Sequence, residues 1–250
     1  MNDANGRLLA VIPARGGSQG LPGKNVRPLA GLPLIAHSVL LAKRCPEIAR
    51  CVVSTDSEEI AAAAKSHGAD VPFMRPAELA GSKAPLWPVL RHALESVERQ
   101  EGRPYEYLLL LDPTSPTRLP EDVRGAFLRL KSVPEANGIL SVSKPYYSPV
   151  WHGVVERGGW MSDLFPEYAQ VTRRQEIPDA FNVNGLIYIW RVPFMKANDS
   201  WRDKGKHLMY VTPEIRAASI DDLEQFERVE ALIRGGGIQL PWLDGGKGGR

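Results

Sequence analysis

Short apolar runs alternate with amphipathic segments along most of the chain. Between the runs, apolar residues recur at helical spacing, which predicts helices over residues 33–44, 57–68, 86–97, 123–130 and 223–233. The runs themselves have the composition of buried strands: residues 8–12, 51–54, 107–111, 138–142, 186–191 and 207–211. Alternating strands and helices form right-handed βαβ units. The pattern therefore predicts an α/β fold with a mostly parallel sheet between two helical layers.

The alternation stops between residues 144 and 184. Prolines and tyrosines come first, followed by a predicted hairpin that turns at residues 157–159. Because strands and helices resume afterwards, we interpret this stretch as an insertion into a single domain that spans residues 1–233. The glycine-rich residues 234–250 are expected to form a flexible tail.

The composition is that of a globular protein. Hydrophobic residues make up 43% and charged residues 24%, which excludes coiled-coil, collagen-like and wholly disordered chains. The net charge of +2 does not favour nucleic acid as a partner, and no apolar run is long enough to favour a membrane. Cys45 and Cys51 form no C-x-x-C motif, which argues against a disulfide scaffold or a zinc site. We therefore expect a cytoplasmic location.

The most informative segment directly follows the first predicted strand. Residues 12–25 read IPARGGSQGLPGKN, a loop with four glycines and two cations, Arg15 and Lys24. Backbone N–H groups of such a loop can face an anion while the cations neutralise its charge. Ligands of open α/β sheets bind at the carboxyl ends of the strands. The loop therefore predicts a phosphate site, although glycines of this kind also occur in plain turns.

Spacing excludes three other interpretations of this loop. Gly17, Gly20 and Gly23 are three residues apart, so the dinucleotide-binding pattern G-x-G-x-x-G is absent. Lys24 is followed by an asparagine, which excludes a P-loop. The G-x-S-x-G match at residues 16–20 is followed by a proline, where a nucleophilic serine would need a helix.

Further motifs occur in order along the chain. They are VVSTDSEEIAAAA from Val52, RPAELAG from Arg75, LLDPTSPTR from Leu110, RRQEIPDAFNVNGLIYI from Arg173 and RAASIDDLEQFERVE from Arg216. With the glycine loop, they resemble the acylneuraminate cytidylyltransferase family, the CMP-sialic acid synthetase type, and more distantly the enzymes that make CMP-Kdo. The resemblance implies a three-layer nucleotidyltransferase with a dimerisation insert. It also implies a Mg²⁺- or Mn²⁺-dependent reaction of CTP with an acidic keto-sugar.

The resemblance also implies roles for individual residues. Arg15 and Lys24 would hold the triphosphate and act in catalysis. The residues that would bind the nucleotide are Ala14, Arg15, Gly16, Gly17, Lys24, Asn25 and Arg75. The residues that would bind the acceptor are Asp112, Arg173, Gln175, Asn184 and Tyr188, of which Arg173 and Gln175 belong to a motif of the dimer-forming insert. Alternatively, Arg173 is a solvated surface cation and Tyr188 a half-buried strand residue.

Several positions depart from the family pattern. Gln19 stands where a lysine is usual, and Asp112 where the QPTSP motif has its glutamine. Residues 83–86 read KAPL instead of a serine-rich stretch that contacts the sugar. The usual metal-binding D-I-D reads SID at residues 219–221, which leaves one carboxylate, Asp221. These departures leave the acceptor open.

We expect Asp221 to remain a metal ligand and Asp112 to supply the second carboxylate, since Asp112 follows a predicted central strand. Asp112 could equally cap a turn, and Mg²⁺ often needs only one or two carboxylates. Asp56 is expected to orient the glycine loop, or to help cap the next helix through Ser57, and is not assigned to catalysis. The five histidines are scattered without metal-binding spacing.

Together these features predict a homodimer that transfers CMP from CTP to a nonulosonic acid such as sialic, legionaminic or pseudaminic acid. Two alternatives stay open. The acceptor could be a phosphonate or an unusual keto-octulosonate, or the chain could be a catalytically weak homologue that binds nucleotide without turnover.

Overall fold

The computed structural model describes residues 6–243, and the strands in this part form one large sheet and two small hairpins. The strands are β1 (Leu8–Pro13), β2 (Pro28–Leu29), β3 (Leu32–Pro33), β4 (Ile48–Ser54), β5 (Tyr107–Leu110), β6 (Gly138–Ser143), β7 (Val154–Arg157), β8 (Trp160–Asp163), β9 (Asn182–Arg191) and β10 (His207–Val211). The large sheet has the order β10-β6-β9-β5-β1-β4.

The large sheet is mostly parallel, as predicted. β1 pairs in parallel with β4 and β5, and β10 pairs in parallel with β6. β9 lies antiparallel between β5 and β6. Five strands therefore share one direction, and β9 alone among the six runs against them.

The five helices predicted from the sequence are found close to their predicted positions, together with two short helices within residues 6–243 that were not predicted. They are α1 (Leu34–Ala42), α2 (Glu58–Ser66), α3 (Leu86–Glu101), α4 (Pro120–Lys131), α5 (Pro149–His152), α6 (Val192–Ala197) and α7 (Leu223–Arg234). The Ser57 hydroxyl caps α2 by accepting a hydrogen bond from the Ile60 N–H at 3.4 Å. Among residues 6–243, no helix combines the length and apolar character needed to cross a membrane.

Alternating side chains of β1 separate the two helical layers. Leu8, Ala10 and Ile12 pack in one core cluster with residues of α1, α2 and α4. Leu9 and Val11 pack in another with residues of α3 and α6. The period-two alternation of a strand thus confirms the three-layer α/β/α architecture.

The insert contains α5 and the β7–β8 hairpin. Gly158 and Gly159 form its two-residue turn with φ angles of 61° and 83°, in the left-handed region that favours glycine. The helix α5 directly precedes the hairpin and ends at His152. Large side chains of the insert face outward, including Tyr146 at 83% and Trp160 at 78% exposure.

The predicted tail begins differently from expectation. Ile238, Leu240 and Trp242 are buried in the same core cluster as α1 and α4. The Trp242 Nε1–H donates a hydrogen bond to His37 Nδ1 at 2.9 Å. Residues 235–243 therefore belong to the folded domain, because their alternating apolar side chains pack against it. The rest of the predicted tail, residues 244–250, lies outside the described residues.

Candidate active site

A polar cavity of about 310 Å³ opens at the carboxyl ends of β1 and β5. Its lining includes three cations and two carboxylates, Arg15, Lys24, Arg75, Asp112 and Asp221. The structure therefore brings together the cations expected to bind a nucleotide and the carboxylates expected to bind a metal ion. The position agrees with the rule that open α/β sheets bind ligands beyond their strand ends.

The glycine loop is fixed by bonds to neighbouring segments. The Ala14 N–H donates to the Ser54 carbonyl at 2.9 Å, which continues the pairing of β1 with β4. The Gly16 N–H donates to Asp56 Oδ1 at 3.0 Å, so Asp56 orients the loop as expected. Asn25 donates from its side-chain amide to the Arg15 carbonyl at 3.1 Å. Gly17 is exposed and, like Ala14 and Gly16, is not part of the cavity lining.

Lys24 connects the glycine loop to the segment that carries Asp221. Its side chain is buried, and its ammonium donates to the Ile220 carbonyl at 2.6 Å and to Asp221 Oδ1 at 3.2 Å. The two segments touch again at Gly20, where a Cβ atom would lie 2.2 Å from the Asp221 carbonyl oxygen. Position 20 therefore requires glycine. Lys24 also has a structural role that was not predicted from the sequence, because it holds the Asp221 segment against the glycine loop.

Arg75 is anchored to the end of β4. Its guanidinium donates to the hydroxyl and to the carbonyl of Ser54, and its backbone N–H donates to the Thr55 carbonyl at 2.7 Å. Burial lowers the pKa of Arg75, and the carboxylate of Asp56 opposes that shift. The buried cation is thus held in place while it lines the cavity.

Asp112 begins a tight turn that is linked to the Asp221 segment. Its Oδ1 accepts a hydrogen bond from the Thr114 N–H at 3.1 Å, which is the turn-capping role considered for it. The Thr114 carbonyl in turn accepts from the Ile220 N–H at 2.8 Å. Since Lys24 binds the Ile220 carbonyl, the backbone of Ile220 joins both loops that flank the cavity.

Arg118 is a buried arginine behind Asp112 whose position was not predicted from the sequence. It is 1% exposed and donates from Nη2 to the Asp112 carbonyl. Its Nε and Nη1 atoms have no hydrogen-bond partner within residues 6–243. Burial lowers the pKa of Arg118 to about 10, and the nearby Asp112 opposes that shift. The motif LLDPTSPTR contains this arginine, but its sequence does not distinguish a buried arginine from a solvated one.

The carboxylates fit a divalent cation. Asp112 and Asp221 line the same cavity, and Asp221 Oδ2 accepts a hydrogen bond from the Ser219 hydroxyl at 3.1 Å. Ser219 therefore orients the carboxylate that remains from the usual pair. No group of three or more His, Cys, Asp or Glu side chains in the described range could hold a metal. One or two carboxylates completed by phosphate oxygens and water are the arrangement that Mg²⁺ uses with nucleotides.

Two further cavities share Asp112 with the cavity of about 310 Å³, which is named the nucleotide cavity for its expected ligand. One, of about 380 Å³, is lined mainly by hydroxyl and amide groups and includes Asn184, Tyr188 and Ser219. Asn184 accepts from the Ser141 hydroxyl at 2.6 Å and donates to Thr212 Oγ1 at 2.7 Å, so its amide also braces the strands around it.

The other cavity beside Asp112, of about 400 Å³, has aromatic walls that include Trp87, Tyr188 and Trp190. Tyr188 is half-buried and stacks on Trp190 with ring centroids 5.5 Å apart. Burial raises the pKa of Tyr188, and the Asp112 carboxylate adds to the shift. Asp112 and Tyr188 therefore stand at the border between a polar and an aromatic cavity.

The structure does not bring Arg173 and Gln175 to this junction. Arg173 is 72% exposed and lies 3.9 Å from Glu176 in a surface ion pair. Gln175 lines a separate cavity of the insert together with Lys144, Ile177 and Asp179. Neither residue lines a cavity that contains Asp112.

Comparisons with known proteins identify the family of the chain. The Cytidylyltransferase family profile matches residues 9–102. A CMP-N,N'-diacetyllegionaminic acid synthase of Legionella pneumophila is 37% identical over 185 residues, 73% of this chain and 77% of the relative. The post-translational flagellin modification protein B of Campylobacter coli is 34% identical over 235 residues, 93% of this chain and 97% of the relative.

A solved structure shows the same fold. A CMP:2-keto-3-deoxy-manno-octonic acid synthetase complexed with CTP superposes with a TM-score of 0.69 at 20% identity, covering 92% of this chain and 99% of the other. Three observations point to the same family: the sequence motifs, the profile match, and the identity to relatives over most of their length. The chain belongs to the cytidylyltransferase family, and its motifs resemble the acylneuraminate type.

Proposed function

We propose that this protein transfers CMP from CTP to a nonulosonic acid, such as legionaminic, pseudaminic or sialic acid, and releases pyrophosphate. The observation that carries this proposal is the cavity at the end of β1, where three cations and two carboxylates surround a space of about 310 Å³. The legionaminic acid synthase of Legionella pneumophila, which spans most of this chain, supports the acceptor class.

The residues of the cavity bind and orient the reactants. Arg15 and Lys24 neutralise the triphosphate, while Asn25 and Arg75 hold the nucleoside. Asp221 and Asp112 would hold Mg²⁺ or Mn²⁺, which would supply further charge neutralisation for the triphosphate. The anomeric hydroxyl of the acceptor forms a bond to the α-phosphorus as the bond to pyrophosphate breaks. Catalysis then rests on positioning and on preorganised charge.

The insert supports the proposal of a homodimer. Tyr146, Tyr147, Trp160 and Met161 are all more than half exposed, although aromatic and Met side chains are enriched at protein interfaces. Exposed apolar side chains concentrated on one segment are typical of an interaction surface. We therefore place the dimer contact on residues 144–184.

The test is pyrophosphate release from CTP with a panel of acceptors. The panel contains sialic, legionaminic and pseudaminic acids, a keto-octulosonate and a phosphonate, each also tried with ATP, GTP and UTP. We expect release with CTP and a nonulosonic acid in the presence of Mg²⁺. If pyrophosphate is released with the keto-octulosonate or the phosphonate and with none of the nonulosonic acids, the proposed acceptor class is wrong. CTP binding without release from any acceptor would indicate a homologue that binds nucleotide without turnover.

Nucleotide preference can be checked separately by melting temperature. A ligand at 100 times its dissociation constant stabilises the fold by about 2.7 kcal/mol, which is large enough to see in a melting curve. We expect CTP to raise the melting temperature more than the other three nucleotides. Equal stabilisation by all four would contradict the cytidine specificity.

A further inference from the structure

Lys24 and Asp221 are paired with each other, although each is expected to bind a different ligand. The Lys24 ammonium donates to Asp221 Oδ1 at 3.2 Å, and both residues line the nucleotide cavity. In the proposed function, Lys24 binds the triphosphate and Asp221 binds the divalent cation. The two residues therefore neutralise each other at the place where two ligands of opposite charge are expected to meet.

The two partners differ in how firmly they are held. The Lys24 side chain is 9% exposed, and its ammonium also donates to the Ile220 carbonyl at 2.6 Å. The Asp221 side chain is 67% exposed, so a ligand in the cavity can reach its carboxylate. An ion pair that is open to solvent on one side contributes little free energy, which makes this contact easy to exchange.

The backbone of Asp221 is fixed while its carboxylate stays accessible. The Asp221 N–H donates to Gln225 Oε1 at 2.6 Å, and its carbonyl lies against Gly20, where a Cβ atom has no room. The two carboxylate oxygens have separate partners, because Oδ1 accepts from Lys24 and Oδ2 accepts from Ser219. A new partner at Oδ1 can therefore replace Lys24 while the segment stays in place.

The serine at position 219 determines the charge balance of this pair. The family pattern D-I-D would add a second negative charge two residues before Asp221. Ser219 is uncharged and donates its hydroxyl hydrogen to Asp221 instead, so the charge of Lys24 is balanced by the single charge of Asp221. Separating such a neutral pair is unfavourable unless each partner gains a new one.

We propose that Lys24 and Asp221 exchange partners when the nucleotide binds, so that Lys24 turns to the triphosphate and Asp221 to the divalent cation that accompanies it. This inference rests on the proposed function and adds how the site couples its two ligands. When CTP binds alone, Asp221 loses Lys24 without gaining a partner, which weakens binding by the free energy of the lost contact. Lys24 and Asp221 thus select CTP that carries its cation over CTP alone.

The test is a double-mutant cycle on CTP binding in the presence of EDTA. Isothermal titration calorimetry at low salt gives the dissociation constant for the native protein, Asp221→Asn, Lys24→Gln and the double variant. Lys24→Gln removes the charge and keeps an amide that can donate to the Ile220 carbonyl. Asp221→Asn should tighten CTP binding about 3-fold more in the native background than in the Lys24→Gln background, because only the native background has a contact to release.

The cycle separates the exchange of partners from simple repulsion. Repulsion between the Asp221 carboxylate and the triphosphate acts in both backgrounds and therefore cancels in the comparison. An equal effect of Asp221→Asn in both backgrounds would overturn the inference, because Lys24 would then keep its contact with Asp221 while CTP is bound.

Asp112→Asn is the matched control. Asp112 is a second carboxylate that lines the same cavity, but its Oδ1 accepts from the Thr114 N–H and not from Lys24. Its effect on CTP binding should be the same in both backgrounds. If Lys24→Gln does not fold, the single variants decide. Asp221→Asn must then tighten metal-free CTP binding more than Asp112→Asn does, and an equal or smaller gain would overturn the inference.

The binding measurements also separate this inference from the function on which it rests. If the native protein binds CTP neither with Mg²⁺ nor without it, the proposed function fails and the inference fails with it. If the native protein binds CTP and the cycle shows no coupling between Lys24 and Asp221, this inference alone fails. Melting curves of each variant show whether its fold is intact.

Discussion

The nucleotide cavity and the insert differ in how their side chains are partnered. Around the cavity, Lys24, Arg75 and Arg118 are all buried, and each donates a hydrogen bond to a backbone carbonyl. In the insert, Tyr146 and Tyr147 contact each other with ring centroids 4.8 Å apart, yet both rings stay largely exposed.

This difference separates side chains that find their partners within one chain from side chains that remain exposed to solvent. Charged groups that are buried and bonded hold their positions before a ligand arrives, which is what electrostatic preorganisation requires. Large exposed rings gain free energy when another surface covers them. The charged groups of the cavity are thus positioned within a single chain, whereas the exposed rings of the insert are consistent with the proposed contact to a second copy.

The largest expected effect is on catalysis, through Arg15. Arg15→Ala should lower kcat/KM on the order of 100-fold, because a preorganised charge on the triphosphate is lost. Its stability should change little, since the side chain is half-buried and lines the open cavity. Steady-state kinetics and urea unfolding measure both effects. Arg27→Ala is the control, because Arg27 is exposed, lies two residues beyond the glycine loop and is not part of the cavity lining.

Lys24 differs from Arg15 because its substitution should affect stability as well as catalysis. Lys24→Ala should lower activity to a similar extent and also cost about 1–3 kcal/mol of stability, because the buried Ile220 carbonyl loses its donor. If both Arg15→Ala and Lys24→Ala kept near-normal rates, the glycine loop would be structural and the mechanism would be wrong.

Much of this cavity could be predicted from the sequence because the glycine loop is a local pattern, and because Arg75, Asp112 and Asp221 lie in motifs that resemble the family. A glycine loop with two cations after an apolar run fixes both the chemistry and the sheet edge where it occurs. The burial of Arg118 and the contact of Gly20 with Asp221 depend on segments far apart in the chain. No local pattern encodes them.

Two features of the fold could not be predicted from local sequence either: the direction of β9 and the packing of residues 235–243. The apolar residues of β9 predict a buried strand, but they do not indicate whether the strand runs parallel or antiparallel to its neighbours. Ile238, Leu240 and Trp242 alternate like a strand, but nearby glycines suggested a flexible tail. The metal, the homodimer and the cytoplasmic location stay predictions.

The second prediction concerns the insert. Trp160→Ser should weaken self-association about 30-fold, the effect of losing one strong interface residue. CTP binding should be unchanged, because the nucleotide cavity is complete without the insert. Analytical ultracentrifugation gives the dissociation constant, with Leu128→Ser as a control for losing an exposed apolar side chain. A native protein that is monomeric at micromolar concentration would exclude the dimer.

The third prediction tests the two carboxylates of the cavity. Asp221→Asn should raise the Mg²⁺ concentration for half-maximal activity on the order of 10-fold, since a ligand charge is lost. If Asp112 is also a ligand, Asp112→Asn should act in the same way, and the two effects should not add. A rise in the acceptor KM alone for Asp112→Asn would place Asp112 with the acceptor. Unchanged Mg²⁺ dependence in Asp221→Asn would exclude the metal assignment.

The smallest expected effect is on stability, through the hydrogen bond between His37 and Trp242. His37 Nδ1 accepts from the Trp242 N–H, so its proton lies on Nε2, 3.0 Å from the Leu29 carbonyl. Burial lowers the pKa of His37, and the Leu29 carbonyl opposes that shift. The unfolded chain therefore binds the proton more readily than the folded one. The stability from the neutral ring is present above the unfolded pKa of about 6.5 and is lost as pH falls through the folded value.

A His37→Gln variant isolates this contribution, because glutamine can accept from Trp242 and donate to Leu29 but does not titrate. Urea unfolding at pH 7.5 and 5.5 gives the change in unfolding free energy for each protein. The native protein should lose more stability than the variant, by at most about 1.4 kcal/mol per pH unit for one proton. Subtracting the variant removes the contributions of the other histidines. An equal loss in both proteins would show that His37 does not link the packing of residues 235–243 to pH.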